Sequence, residues 1–95
     1  MLRMLTSAAL STAALTVALT AANAAPPEFC HDYAEAAINQ VRAALADPRC
    51  AGAVHGPRWT SDRRVHFQWC LSQPIPAVEA ERGARGGYLH ACRHG

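Results

Sequence analysis

The stretch that decides the fold is Glu28-Phe29-Cys30-His31-Asp32-Tyr33-Ala34-Glu35-Ala36-Ala37-Ile38-Asn39-Gln40-Val41-Arg42-Ala43-Ala44-Leu45-Ala46, which contains neither Gly nor Pro. Within it Phe29, Tyr33, Ala37, Val41 and Leu45 recur at helical spacing, and Cys30, Ala34 and Ile38 widen the apolar face. Pro26 and Pro27 precede it, and Asp32 and Glu35 lie toward its positive end. Asp47-Pro48 stops it, because a residue before proline is pushed out of helical geometry. The pattern predicts one long amphipathic helix, and with it an all-α domain.

Downstream, Arg49-Cys50-Ala51-Gly52-Ala53-Val54-His55-Gly56-Pro57 reads as a loop, with two Gly and a closing Pro. The segment from Trp59 to Ser72 fits two templates. Val65, Phe67, Trp69 and Leu71 alternate with polar neighbours as a strand would. Thr60-Ser61-Asp62 offers N-caps, however, and Asp62, His66, Trp69, Cys70 and Gln73 share one helical face. A lone strand has nothing to pair with among helices, so a short helix is the favoured reading. Pro74 and Pro76 break it, and Pro76 is placed to open a last helix from Ala77 to about Cys92. Val78, Arg82, Arg85, Leu89 and Cys92 trace one side of that helix, and Gly83, Gly86 and Gly87 weaken it by about 1 kcal/mol each relative to Ala. The expected architecture is a small bundle of about three helices, one domain over residues 25–95.

Upstream, one Arg at position 3 precedes an apolar run from Met4 to about Thr20, and small residues close it at Ala22-Asn23-Ala24. That order predicts a signal peptide over residues 1–24, cut after Ala24. The run is rich in Ala, Thr and Ser, and no positive flank follows it, which disfavours a retained membrane anchor. Without Arg3 the exported part keeps eight Arg against seven acidic residues, a formal +1, so no electrostatic case for nucleic acid exists.

All four Cys, at 30, 50, 70 and 92, follow the cleavage position and are expected to form two disulfides in an oxidising compartment. Three pairings exist. Sixteen residues of helix from Cys30 to Ala46 span about 24 Å, and the four steps on to Cys50 recover at most about 14 Å. Cys30 and Cys50 therefore cannot approach the roughly 5.5 Å between Cα atoms that a disulfide needs. Two pairings survive. Antiparallel packing of the first and last helices would join Cys30 to Cys92 and Cys50 to Cys70, a slight preference as the simpler geometry. Parallel packing would join Cys50 to Cys92 and leave Cys30 for Cys70.

Chemistry-bearing motifs are sparse. His90 and His94 stand four apart, a spacing that could hold a metal, but no carboxylate or third His lies near them. The cysteines, about twenty residues apart, lack the close pairs of a zinc site, and no haem or other cofactor motif is present. Ser61 and Ser72 sit in no nucleophile elbow. Glu79 and Glu81, two apart, read as solvated surface. The most distinctive residues are Arg58, Trp59, His66 and Trp69, which could form an aromatic binding surface with a polar edge. The blander reading puts both Trp in the core, with Trp69 drawn inward beside Cys70 and Arg58 dispensable in its Gly-Pro loop unless it holds a buried carboxylate.

The set Cys30-x-x-Tyr33-Ala34, Gly56-x-Arg58-Trp59, His66-x-x-Trp69-Cys70-Leu71, Glu79-x-x-Arg82 and Leu89-x-x-Cys92 resembles a group of small exported four-cysteine proteins of alphaproteobacteria. The likeness covers nearly all of residues 25–95, and departs from the group at Cys50-Ala51-Gly52, where a Cys-Gly step would stand. It implies a shared fold and periplasmic residence, and no activity. The functional expectation is an exported, non-catalytic module that binds a protein, a cell-wall component or a small molecule. The alternative is a small periplasmic enzyme or enzyme inhibitor with His66 at its working surface. A pocket lined by Trp59, His66 and Trp69 would favour ligand binding, and a free polar loop over residues 55 to 63 would favour inhibition.

Overall fold

A computed structural model describes residues 23–95, which form helices and turns and no strand. The signal-peptide reading of residues 1–24 lies outside them except for its last two positions. Helix α1 spans Pro27–Ala46, α2 is a single turn at Pro48–Ala51, α3 spans Arg63–Leu71 and α4 spans Ile75–His94. A 3₁₀ turn at Pro57–Trp59 lies between α2 and α3.

Each start has a local cause. Proline stands in the first turn of α1, α2 and α4, where its fixed φ suits the helix and its missing N–H costs nothing. Asp47 caps α2 by accepting from the Arg49 amide at 2.9 Å, and Asp62 caps α3 by accepting from the Arg64 amide at 3.0 Å. Of the three N-cap residues available before α3, the last is used, and the helix reading of 59–72 holds from Arg63 to Leu71. The expected loop after α1 contains two helical turns, with Gly56 at φ +82° bending the chain into the second.

The buried stripe of α1 is Cys30, Tyr33, Ala34, Ala37, Ile38, Val41 and Ala44. It lies slightly to one side of the predicted stripe, so Phe29 is half-buried and Leu45 is 52% exposed. Against this stripe α3 runs antiparallel, with His31 stacked on Phe67 at 4.4 Å and Arg63 paired with Glu35. Helix α4 then returns parallel to α1. Near its start the Ala25 amide donates to the Gln73 carbonyl at 2.8 Å, and near its end Tyr88 Oη donates to the Cys50 carbonyl at 2.5 Å.

This up-down-up path selects the cysteine pairing. Cys30 bonds Cys70 and Cys50 bonds Cys92, with Cα atoms 5.5 and 5.3 Å apart. The slight preference for Cys30–Cys92 with Cys50–Cys70 is corrected. It treated the first and last helices as neighbours in a hairpin, whereas α3 intervenes and reverses the chain once more. Each disulfide sits in its own apolar cluster. Cys30–Cys70 lies with Ala25, Tyr33, Ala37 and Val78, and Cys50 with Val41, Ala44, Trp59 and Leu89.

Each bond closes a loop of about forty residues and should contribute about 2–4 kcal/mol, a large part of the stability of so small a domain. Proteolytic mapping of the unreduced protein is expected to recover Cys30–Cys70 and Cys50–Cys92 peptides, with loss of helical circular dichroism on reduction. Cys30–Cys92 peptides would refute the parallel arrangement of α1 and α4.

Candidate functional site

Helices α3 and α4 each pack on α1 but share few contacts with each other. The wedge between them is bridged by the 3₁₀ turn, which Trp59 anchors by meeting Tyr88 edge-on at 5.1 Å. What remains is a pocket of about 300 Å³ lined by Tyr33 of α1, Pro57 and Arg58 of the turn, Val65, His66 and Trp69 of α3, and Glu81 and Arg85 of α4. Among the sequence-derived candidates Arg58, His66 and Trp69 meet there. Trp59 does not. It is buried at 9% exposure in the second apolar cluster, so only one of the two Trp is a core residue in the full sense. Trp69 is half-buried, lies 5.8 Å from the Tyr33 ring, and exposes its other side to the pocket.

At the base of the pocket lies Arg85, fully buried. Its Nε donates to Gln40 Oε1 at 2.8 Å and its Nη2 to Tyr33 Oη at 2.8 Å. Its Nη1 has weaker partners, the Arg58 carbonyl at 3.4 Å and Glu81 Oε2 at 3.7 Å. The guanidinium also lies 5.2 Å from the centre of the Tyr33 ring. Gln40 completes the seam by donating to the Arg82 carbonyl at 3.1 Å.

Arg58 is not idle on its loop. Its Nε and Nη2 donate to the two oxygens of Glu81 at 2.6 and 3.0 Å, a bidentate clasp over the rim of the pocket. Glu81, read from sequence as solvated surface beside Glu79, is the half-buried carboxylate that Arg58 and Arg85 share. Two cations thus converge on one anion. Burial pushes the Tyr33 phenol up despite the opposing pull of its hydrogen bond from Arg85, so at neutral pH the phenol keeps its proton. His66 is 3% exposed, and its Nε2 lies 2.8 Å from the Thr60 carbonyl. A carbonyl only accepts, so Nε2 carries the proton.

Sequence reasoning missed Tyr33, Glu81 and Arg85. The signal for Arg85 was present in the stripe Val78, Arg82, Arg85, Leu89, where a charge stands at a position otherwise apolar. Elsewhere, the His90 and His94 rings meet at 4.5 Å on exposed α4, and among the described residues no cluster of three or more His, Cys, Asp or Glu could hold a metal. A wider, open cleft near the N-terminus is lined in part by Asn23 and Ala24, residues that the expected cleavage would remove. No family model, curated protein or solved structure matches the chain.

Desolvation holds the His66 pKa below its ordinary value of 6.5; the Thr60 hydrogen bond pulls it up, and the Arg85 charge pushes it further down. Glu81 and Asp62 favour the protonated ring more weakly. Because the folded pKa is the depressed one, the unfolded chain binds the proton more readily. The stability contributed by neutral His66 is therefore complete above pH about 6.5 and is lost as pH falls toward the folded pKa. Urea midpoints should fall between pH 7 and pH 5 for the parent, and His66→Gln should flatten that slope; an unchanged slope in the variant would contradict the assignment.

Proposed function

We propose that the chain is an exported, non-catalytic binding module whose pocket takes a small molecule. The observation that carries this reading is the pocket itself. Its volume of about 300 Å³ is at the lower end of the range for ligand sites, and it combines apolar walls with a few convergent polar groups. Every helix but the single-turn α2 contributes to it. Inhibition by an exposed loop has less support, because residues 55 to 63 are tied down by the Arg58–Glu81 clasp, buried Trp59 and the Thr60–His66 hydrogen bond.

Export is supported by the leader-like first 24 residues, by the likeness to small exported four-cysteine proteins, and by the disulfides, which persist in oxidising compartments. Among the described residues no helix is long and apolar enough to cross a membrane.

One experiment tests both halves. The full chain, expressed in a Gram-negative host, is recovered from the periplasm and weighed intact, first denatured and then under native conditions after exposure to periplasmic small molecules. The expected denatured mass is that of residues 25–95 less the four hydrogens of two disulfides, and the native mass should carry an additional small-molecule increment that Trp69→Ala removes. Retention of the first 24 residues would contradict export, and a native mass without any increment would contradict the binding reading.

A further inference from the structure

The polar groups of the pocket are unbalanced, and the imbalance has a sign. Arg58 and Arg85 together bring two positive charges, and the carboxylate of Glu81 answers only one of them. That carboxylate is held closely by Arg58, at 2.6 and 3.0 Å, and lies at 3.7 Å from Arg85 Nη1. A fully buried guanidinium is therefore left with its strongest partners neutral, namely Gln40 and the Tyr33 oxygen. Buried charges are ordinarily paired, since an uncompensated one is costly in a medium that screens poorly.

A second observation points the same way. Tyr33 is 1% exposed, and its oxygen accepts from Arg85 Nη2. Its own O–H has no acceptor among the described residues, although Tyr33 lines the pocket. A buried hydroxyl with its proton unused is a donor waiting for an acceptor. The donor left over at the pocket is thus the Tyr33 hydroxyl, with the weakly paired Arg85 charge enclosed behind it. Beside it stand the half-buried Trp69 ring and the methyl groups of exposed Val65, which suit a planar apolar body.

We propose that the pocket binds a small aromatic monocarboxylate, its carboxylate accepting from the Tyr33 hydroxyl beside the enclosed Arg85 charge and its ring lying against Trp69. The assignment rests on the binding-pocket reading above and adds the charge and shape of the ligand. A carboxylate supplies the missing anion and accepts from the Tyr33 hydroxyl, whereas a neutral amide of the same shape supplies no charge. Glu81 is then a competitor for the cations, and removing its charge strengthens binding.

The test is fluorine NMR of para-fluorobenzoate and para-fluorobenzamide, two molecules of nearly equal shape, titrated against the oxidised exported protein. Benzoate is expected to bind about tenfold or more tightly than benzamide. Glu81→Gln should raise benzoate affinity severalfold, and Tyr33→Phe, confirmed folded by its circular dichroism, should lower it about tenfold while leaving benzamide little changed. Equal binding of the two probes would overturn the anionic ligand and leave the pocket reading intact. Failure of both to bind in the millimolar range would overturn the aromatic-carboxylate assignment, and the native-mass experiment would then decide the pocket reading independently. Weaker benzoate binding in Glu81→Gln would overturn the competitor role. The parent comparison needs no variant, so a misfolded Tyr33→Phe would not rescue the proposal.

Discussion

Arg85 is the charged side chain of α4 that lies fully buried. It reaches across from the third long helix to two residues of the first, Tyr33 and Gln40, and to the backbone of the 3₁₀ turn at Arg58. The distance between α1 and α4, the seating of the turn and the depth of the pocket all follow from where that guanidinium finds partners. A fully buried charge is tolerable only if its N–H groups are satisfied, so the partners are constrained as firmly as the arginine. It lies between the two apolar clusters, each of which is closed by a disulfide. The domain is thus stapled at both ends and polar in the middle.

The staples matter because the middle is not self-sufficient. The largest fully buried side chains after Arg85 are Tyr33, Val41 and Val78, and much of the remaining core is Ala and half-cystine. Such a core buries modest apolar area, and cross-linking the unfolded chain supplies what packing does not. Pinning α3 to the start of α1 and α2 to the end of α4 also leaves α3 and α4 free to diverge. Their divergence makes the wedge in which the pocket forms. The same constraint that stabilises the fold keeps that wedge open.

Much of this was legible in the residues. The long first helix, its stop at Asp47-Pro48, the proline opening of the last helix and the disulfide framework all rest on local rules of backbone geometry and spacing. The pairing was not legible, since it depends on whether α1 and α4 run parallel, a fact of topology set by the length and direction of α3. Half of the site was found through Arg58, His66 and Trp69, which are unusual residues close together in sequence. Tyr33, Glu81 and Arg85 were passed over, because helical periodicity sorts residues by face and does not show that a charge on the apolar face has partners waiting on another helix. Trp59 and Trp69 look alike in sequence, yet one anchors a turn in the core and the other faces the pocket. Only packing separates them.

The buried, partnered state of Arg85 can be measured directly by following hydrogen exchange at its side-chain Nε–H in nitrogen-edited NMR, with Arg85→Lys identifying the resonance. A guanidinium enclosed between Gln40 and Tyr33 should show a dispersed Nε–H signal that exchanges far more slowly than those of the exposed Arg42 and Arg64, with cross-relaxation to the Tyr33 ring protons. An Arg85 signal that exchanges as fast as theirs, without contact to Tyr33, would contradict the buried hub and the pocket built on it.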